Sequence, residues 1–346
     1  MSYTNGLDKP SDYFNTVLYT GNGGNGHTIS GVGFQSDLTW LKSRSSAISH
    51  MWIDSVRGVN TVINSNTNDA ETTFNCLDPW NSDGFVLSNN TNFNGNGVTF
   101  AAWNWLASNG TASNTDGTIN STVSVNTTSG FSIVSYTGTG VANKTIGHGL
   151  GTKPSMIIVK NRSIVEEWRV WHQKLAGADY KLILNDAGAA DQSNSVFNGQ
   201  SATTFTVGAD GSVNKDGTSI IAYCFAEKQG YSKFGSYTGN GNADGSFIYT
   251  GFKPAFVMIK KTTGTDGWWQ IEDNKRSPEN VAIKAIFANV NDTEYSGANY
   301  ATDYLSNGFK IRNSTAGSNT SGQVYIYMAF AENPFVTSTG VPATAR

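Results

Sequence analysis

Apolar residues in this chain come in short runs cut off by turn residues, and almost none of the runs keeps a 3.6-residue period. Ile157-Ile-Val159 and Phe256-Val-Met-Ile259 follow Pro154 and Pro254 and are too short for a helix, so they read as buried strands. Tyr325 to Ala331 is apolar on both faces, the pattern of a central strand covered on both sides. Asp83-Gly84, Asp116-Gly117, Asp210-Gly211, Asp216-Gly217 and Asn307-Gly308 supply hairpin turns. Ala70-Glu71 and Ala282 to Ala288 are the helix candidates, both short. The pattern predicts an all-β chain built from small antiparallel β-sandwiches or jelly rolls.

The pattern also repeats. Tyr19-Thr-Gly-Asn-Gly23, Tyr136-Thr-Gly-Thr-Gly140 and Tyr237-Thr-Gly-Asn-Gly241 each end an apolar run and open a loop. A second phrase follows at Gly33 to Lys42, Gly151 to Lys160 and Gly251 to Lys260, and a third at Val98 to Trp103, Ile220 to Glu227 and Val324 to Glu332. The interval is roughly 100 residues, long enough for each copy to bury a core of its own, unlike a short solenoid repeat. Three tandem units are expected at 13–106, 130–229 and 230–335. A polar arm (1–12), a Ser/Asn/Thr/Gly linker (107–129) and a tail (336–346) complete the chain. Thr118 to Val125 alternates within the linker, as an added edge strand would. The linker sets the first unit apart, whereas the second and third abut at Gly230 and are expected to move together.

Composition narrows the function. Only 14% of residues are charged and Gly is abundant at 38, so Asn, Ser and Thr supply most polar positions. That is a surface wetted by amides and hydroxyls rather than by charge. A net charge of −3 leaves no basic stripe for nucleic acid. No apolar run is long enough to span a membrane. Met1 to Asp8 has neither a basic segment nor an apolar one, so no secretory leader is expected. A virion component assembled in the host cytoplasm and released by lysis reconciles an extracellular-type surface with that start. Cys76 and Cys224 occupy non-equivalent places, and Cys224 reads as a buried free thiol.

Candidate chemistry is sparse. Gly21-Asn-Gly23-Gly-Asn-Gly26 matches the dinucleotide-loop pattern, but no helix follows to hold a pyrophosphate, so a hairpin loop is the reading. His27, His50, His148 and His172 lack metal-ligand spacing, and no nucleophile elbow is present. No cofactor, metal or enzymatic activity is expected. The pointed constellation is Trp52-Ile-Asp54-Ser-Val-Arg57 in the first unit and Trp268-Trp269-Gln-Ile-Glu-Asp273-Asn-Lys-Arg276 in the third. A Trp ring beside an Asp and an Arg can stack on a sugar face and hold its hydroxyls, which makes these seven residues glycan-binding candidates. The competing reading is a core Trp with an Asp–Arg pair tying a strand to its loop. The second unit has Trp168-Arg-Val-Trp171-His172 and Leu175 instead, losing both charges together.

The phrases at Gly251 to Lys260, Phe234 to Gly239, Tyr325 to Glu332, Asp54 to Gly58, Ser82 to Gly84 and Ala101 to Trp105 resemble a tandem β-repeat family of tailed bacteriophages. That family belongs with tail-fibre and other virion-surface proteins, and the likeness runs over residues 13–335. The resemblance implies a non-enzymatic virion structural protein, a tail fibre or tail-associated adhesin contacting host surface glycan. A capsid decoration protein or head fibre is the alternative, and a carbohydrate-active hydrolase comes third. Implied partners are other virion proteins and further copies of the chain, with a trimer as one arrangement. The arm is expected to anchor the protein to the particle.

Overall fold

The computed structural model describes residues 6–264 and 267–344, and they are nearly all antiparallel β. One strand order recurs in three large sheets. In the first unit it is Phe14–Thr20, Thr99–Trp105, Leu38–Ser43, Met51–Asp54. In the second it is Phe131–Thr137, Ser219–Phe225, Met156–Asn161, Arg169–His172, and in the third Ser232–Thr238, Val324–Pro334, Phe252–Lys261, Gln270–Asp273. Each large sheet faces a three-stranded sheet centred on Gly84–Leu87, Thr204–Val207 or Gly308–Ile311.

Because side chains alternate along a strand, each large sheet feeds two cores. Leu41, Ile53 and Ala102 turn into the first unit's own sandwich, as do Ile157, Val159 and Cys224 in the second and Val257, Ile259 and Tyr325 in the third. The other faces meet. Trp40, Trp52, Trp103 and Trp105 join Ile158, Trp168, Tyr223 and Phe225 and then Met258, Trp269, Met328 and Phe330 in one common core. Burial on both faces explains why these strands are apolar without a break, and why Leu38–Ser43 and Met156–Asn161 are buried at every residue. The units therefore bury cores of their own and also share one, which corrects the expectation of a first unit set apart.

The repeated Tyr-Thr-Gly phrase has a local cause. Tyr19, Tyr136 and Tyr237 hold one register and donate their hydroxyls to the carbonyls of Phe93, Val213 and Ser318 at 2.8, 2.7 and 2.6 Å. Two residues on, a Cβ at Gly21, Gly138 or Gly239 would lie 2.3 Å from the carbonyl oxygen of Gly95, Lys215 or Thr320, so only glycine fits. Asn94, Asn214 and Asn319, all buried, accept the N–H of Asn22, Thr139 and Asn240 and lock the loop down.

Several expectations change. Ala282 to Ala288 holds the strand Lys284–Phe287, and Glu71 precedes the short strand Thr72–Thr73, since pairing with a neighbouring strand overrides a helical pattern so short. Among the described residues the α-helical turns lie instead at Thr91–Asn94 and Gly211–Asn214, capped by Asn90 and Asp210, with 3-10 turns at Pro10–Asp12 and Ala298–Tyr300. The linker is built into the second sheet through Ala112–Asn114 and Ser121–Asn126, and Asp37 of the first unit accepts the N–H groups of Ala107 and Asn109. From Gly6 onward the arm lies on its own chain: Leu7 is buried in the common core, and Asp8 accepts the Ser338 N–H from the tail at 2.8 Å. Residues 1–5 of the arm and 345–346 of the tail lie outside the described residues.

Candidate functional site

The Trp/Asp/Arg constellation begins as a strand end. Asp54 closes Met51–Asp54, and its Oδ1 accepts the N–H groups of Val56 and Arg57 at 3.1 and 2.9 Å. This Asx turn reverses the chain and returns Arg57 to the face it would otherwise leave. Arg57 Nε then meets Asp54 Oδ2 at 2.5 Å, and its Nη2 donates to the Trp52 carbonyl. Asp273 and Arg276 repeat the arrangement, with N–H bonds from Lys275 and Arg276 and an Nε–Oδ2 distance of 2.5 Å. All four ionic side chains are completely buried. Burial disfavours the Arg57 charge, but Asp54, with Tyr223 and Glu71, outweighs it and holds the guanidinium protonated.

Each pair also receives a donor from another unit. Tyr223 Oη of the second unit donates to Asp54 Oδ2 at 2.7 Å, and Trp103 Nε1 of the first donates to Asp273 Oδ2 at 3.1 Å. Tyr223 and Trp103 hold the same register in their sheets. Glu71 bridges Arg57 to Arg162 of the second unit, and Glu294 bridges Arg276 to Arg44 of the first. The constellation is therefore a clasp across the seams between units. At the remaining seam the equivalent places hold His172 for the aspartate, Leu175 for the arginine, Ala190 for the glutamate, Thr262 for the second arginine and Met328 for the donor. The whole set changes together, as it must if removing one partner would strand a buried charge.

Three further contacts close the units into a ring. His50, Trp168 and Trp269 share one register, two residues before Trp52, Val170 and Ile271. His50 Nδ1 accepts from Trp40, so its Nε2–H donates to the Phe287 carbonyl. Trp168 Nε1 donates to Asn64 and Trp269 Nε1 to Ile183. The first unit thus grips the third, the third the second, and the second the first, in a pseudo-threefold arrangement within one chain. Lys42, Lys160 and Lys260 lie buried on the same faces; Lys160 reaches the Asn68 carbonyl and Lys260 those of Ala187 and Gly188, each across a seam. Desolvation lowers the three amines to about 8, about 8 and about 7.

Six of the seven glycan-binding candidates, Trp52, Asp54, Arg57, Trp269, Asp273 and Arg276, are therefore enclosed in the seams, with the charged groups committed to one another. No sugar reaches them in this structure. Trp268 is separate: it is 36% exposed and packs edge-on against Phe287 at 4.9 Å. Sequence reasoning missed Tyr223, Trp103, Glu71, Glu294 and the three lysines. The lysines carried a signal, since each ends the second repeated phrase inside an otherwise apolar strand. Among the described residues no group of three or more His, Cys, Asp or Glu side chains is placed to hold a metal. Both cysteines are free and buried, and burial raises their thiol pKa values.

No curated protein and no solved structure matches this chain. One family model, described as Domain of unknown function (DUF7483), matches residues 9–334 in a single span that takes in all three units. A match of that extent places the chain in the DUF7483 family.

Proposed function

We propose that this protein is a non-enzymatic structural protein of a tailed bacteriophage particle, a tail fibre or tail-associated adhesin that meets host surface glycan. Its sequence phrases supply the phage resemblance. The observation that carries the structural role is the use made of its buried ionic residues. Asp54, Arg57, Asp273 and Arg276 are enclosed in seams that hold three units on one core, an arrangement suited to a rigid body and not to turnover. A charge-poor exterior of amides and hydroxyls suits a surface protein that must not adhere to charged polymers.

The capsid-decoration reading is supported by a different observation, the pseudo-threefold ring. A body with three near-equivalent units meets a threefold position of a shell with little mismatch. Electron microscopy of particles labelled with a gold-conjugated antibody against the chain separates the readings. Label on tails supports the adhesin, label on heads supports decoration, and particles that carry no label overturn the virion assignment.

A further inference from the structure

One place on each unit has diverged without regard to the seams. Beside the strand that ends at the clasp, between Met51, Arg169 or Gln270 and the turn that carries Asn92, Ser212 or Gly317, the three copies differ in what fills the space. In the second unit the space is plugged: Arg169 Nε donates to Ser212 Oγ at 2.8 Å, and its Nη2 lies 3.8 Å from Asp210. In the first unit Met51 and Asn92 leave an open hollow of about 290 Å³, with Ser49 where the third unit has Trp268. In the third, Gln270 and Gly317 leave a pocket of about 230 Å³ with an aromatic wall. Trp268, Phe287 and Tyr300 wall it, and Asn299 and Thr315 stand at its rim.

Gln270 is 1% exposed, and its amide is half used. Its Nε2 donates to Glu272 at 2.5 Å, while Oε1 has no partner and lies 3.3 Å from where a Cβ of residue 317 would stand. A buried amide oxygen left open costs stability unless something donates to it. The first unit has Met51 and Ile53 where the third has Gln270 and Glu272, so the polar pair is particular to the third copy.

We propose that this pocket is a binding site for one uncharged pyranose ring, the terminal sugar of a neutral glycan. The ring's C–H face stacks on Trp268, and a ring hydroxyl donates to Gln270 Oε1. Asn299 and Thr315 take hydroxyls at the rim. The volume corresponds to about seven or eight waters, below the range of drug-sized ligand pockets, and so admits a single ring. No lining side chain is charged. Glu272 behind Gln270 disfavours an anionic sugar when it is ionised. The inference rests on the glycan-contacting part of the proposed function. It is tested on the isolated full-length protein, so its failure is distinct from that of the virion assignment, which particle labelling decides.

The test is saturation-transfer NMR and titration with the methyl glycosides of glucose, galactose and N-acetylglucosamine, with glucuronic acid and N-acetyltryptophanamide as comparison probes. Saturable binding of at least one neutral glycoside is expected, with glucuronic acid weaker. Trp268→Ala, at a surface position, is expected to weaken binding about ten-fold by removing the stacking face. The double variant Gln270→Arg with Gly317→Ser rebuilds the second unit's plug and is expected to abolish binding, with the melting temperature reporting that the fold is kept. Failure of all three neutral glycosides to bind overturns the proposal. So does preference for glucuronic acid or N-acetyltryptophanamide, or neutral-sugar binding that neither variant changes.

Discussion

The Tyr223 hydroxyl of the second unit donates to the Asp54 carboxylate of the first at 2.7 Å, in a place where neither group meets water. Asp54 thereby serves two masters, the Arg57 guanidinium of its own unit and a phenol from the next. Tyr223→Phe removes one hydrogen bond to a buried charge and is expected to destabilise the protein by about 1.5–3 kcal/mol. A double-mutant cycle with Asp54→Asn measures the coupling, and additive losses would mean that the contact contributes nothing across the seam.

The Asp54–Arg57 pair itself is expected to behave asymmetrically. Arg57→Ala leaves Asp54 buried without its cation and should cost about 3–5 kcal/mol. Joint replacement of Asp54, Arg57 and Glu71 by the second unit's own set (D54H, R57L, E71A) should cost less than Arg57→Ala alone if Arg162 is made Thr and Tyr223 is made Met in the same chain. Chemical denaturation of the two variants decides it.

The copy that lacks the clasp shows what was legible in the sequence. The all-β fold and the Asp–Arg pairing could be read from the sequence, because local turn chemistry and strand burial leave local marks. Tyr223 and Trp103 could not be assigned to Asp54 and Asp273, since they stand 169 and 170 positions away from them and each looks like an ordinary core aromatic. The shared core was hidden for a related reason. Strands apolar on both faces indicate two covering layers, but the pattern does not say that the second layer belongs to the other copies. The same blindness made Trp52 and Trp269 resemble a sugar platform, when only Trp268, one residue out of step, faces outward. The arm reads as polar, yet among its described residues Leu7 is buried in the common core and Pro10 is also buried.

Acid is expected to weaken the fold through its buried histidines. Burial holds His50, His148 and His172 neutral, with His148 lowered to about 4 and His172 to about 3. The unfolded chain takes up these protons below about pH 6.5 while the folded chain does not, so stability falls as the pH falls below that value. Glu272 opposes the trend. Burial raises it to about 7, so between about pH 7 and 4.5 the folded state keeps a proton that the unfolded state releases. Three histidines act against one glutamate, so the net stability is expected to fall as the pH drops from about 6.5 to about 4.5. Melting temperatures across that range test the sign, and Glu272→Gln should make the decline steeper by removing the opposing proton.

The claim on which the rest depends is that the three units form one body, closed by seams and a common core. Differential scanning calorimetry of the full chain and of Asp54→Ala tests it most directly. One transition is predicted, with calorimetric and van't Hoff enthalpies in agreement, and Asp54→Ala should move that whole transition to lower temperature. Two or three separate transitions, with Asp54→Ala lowering only one of them, would contradict it and return the protein to independent units on a string.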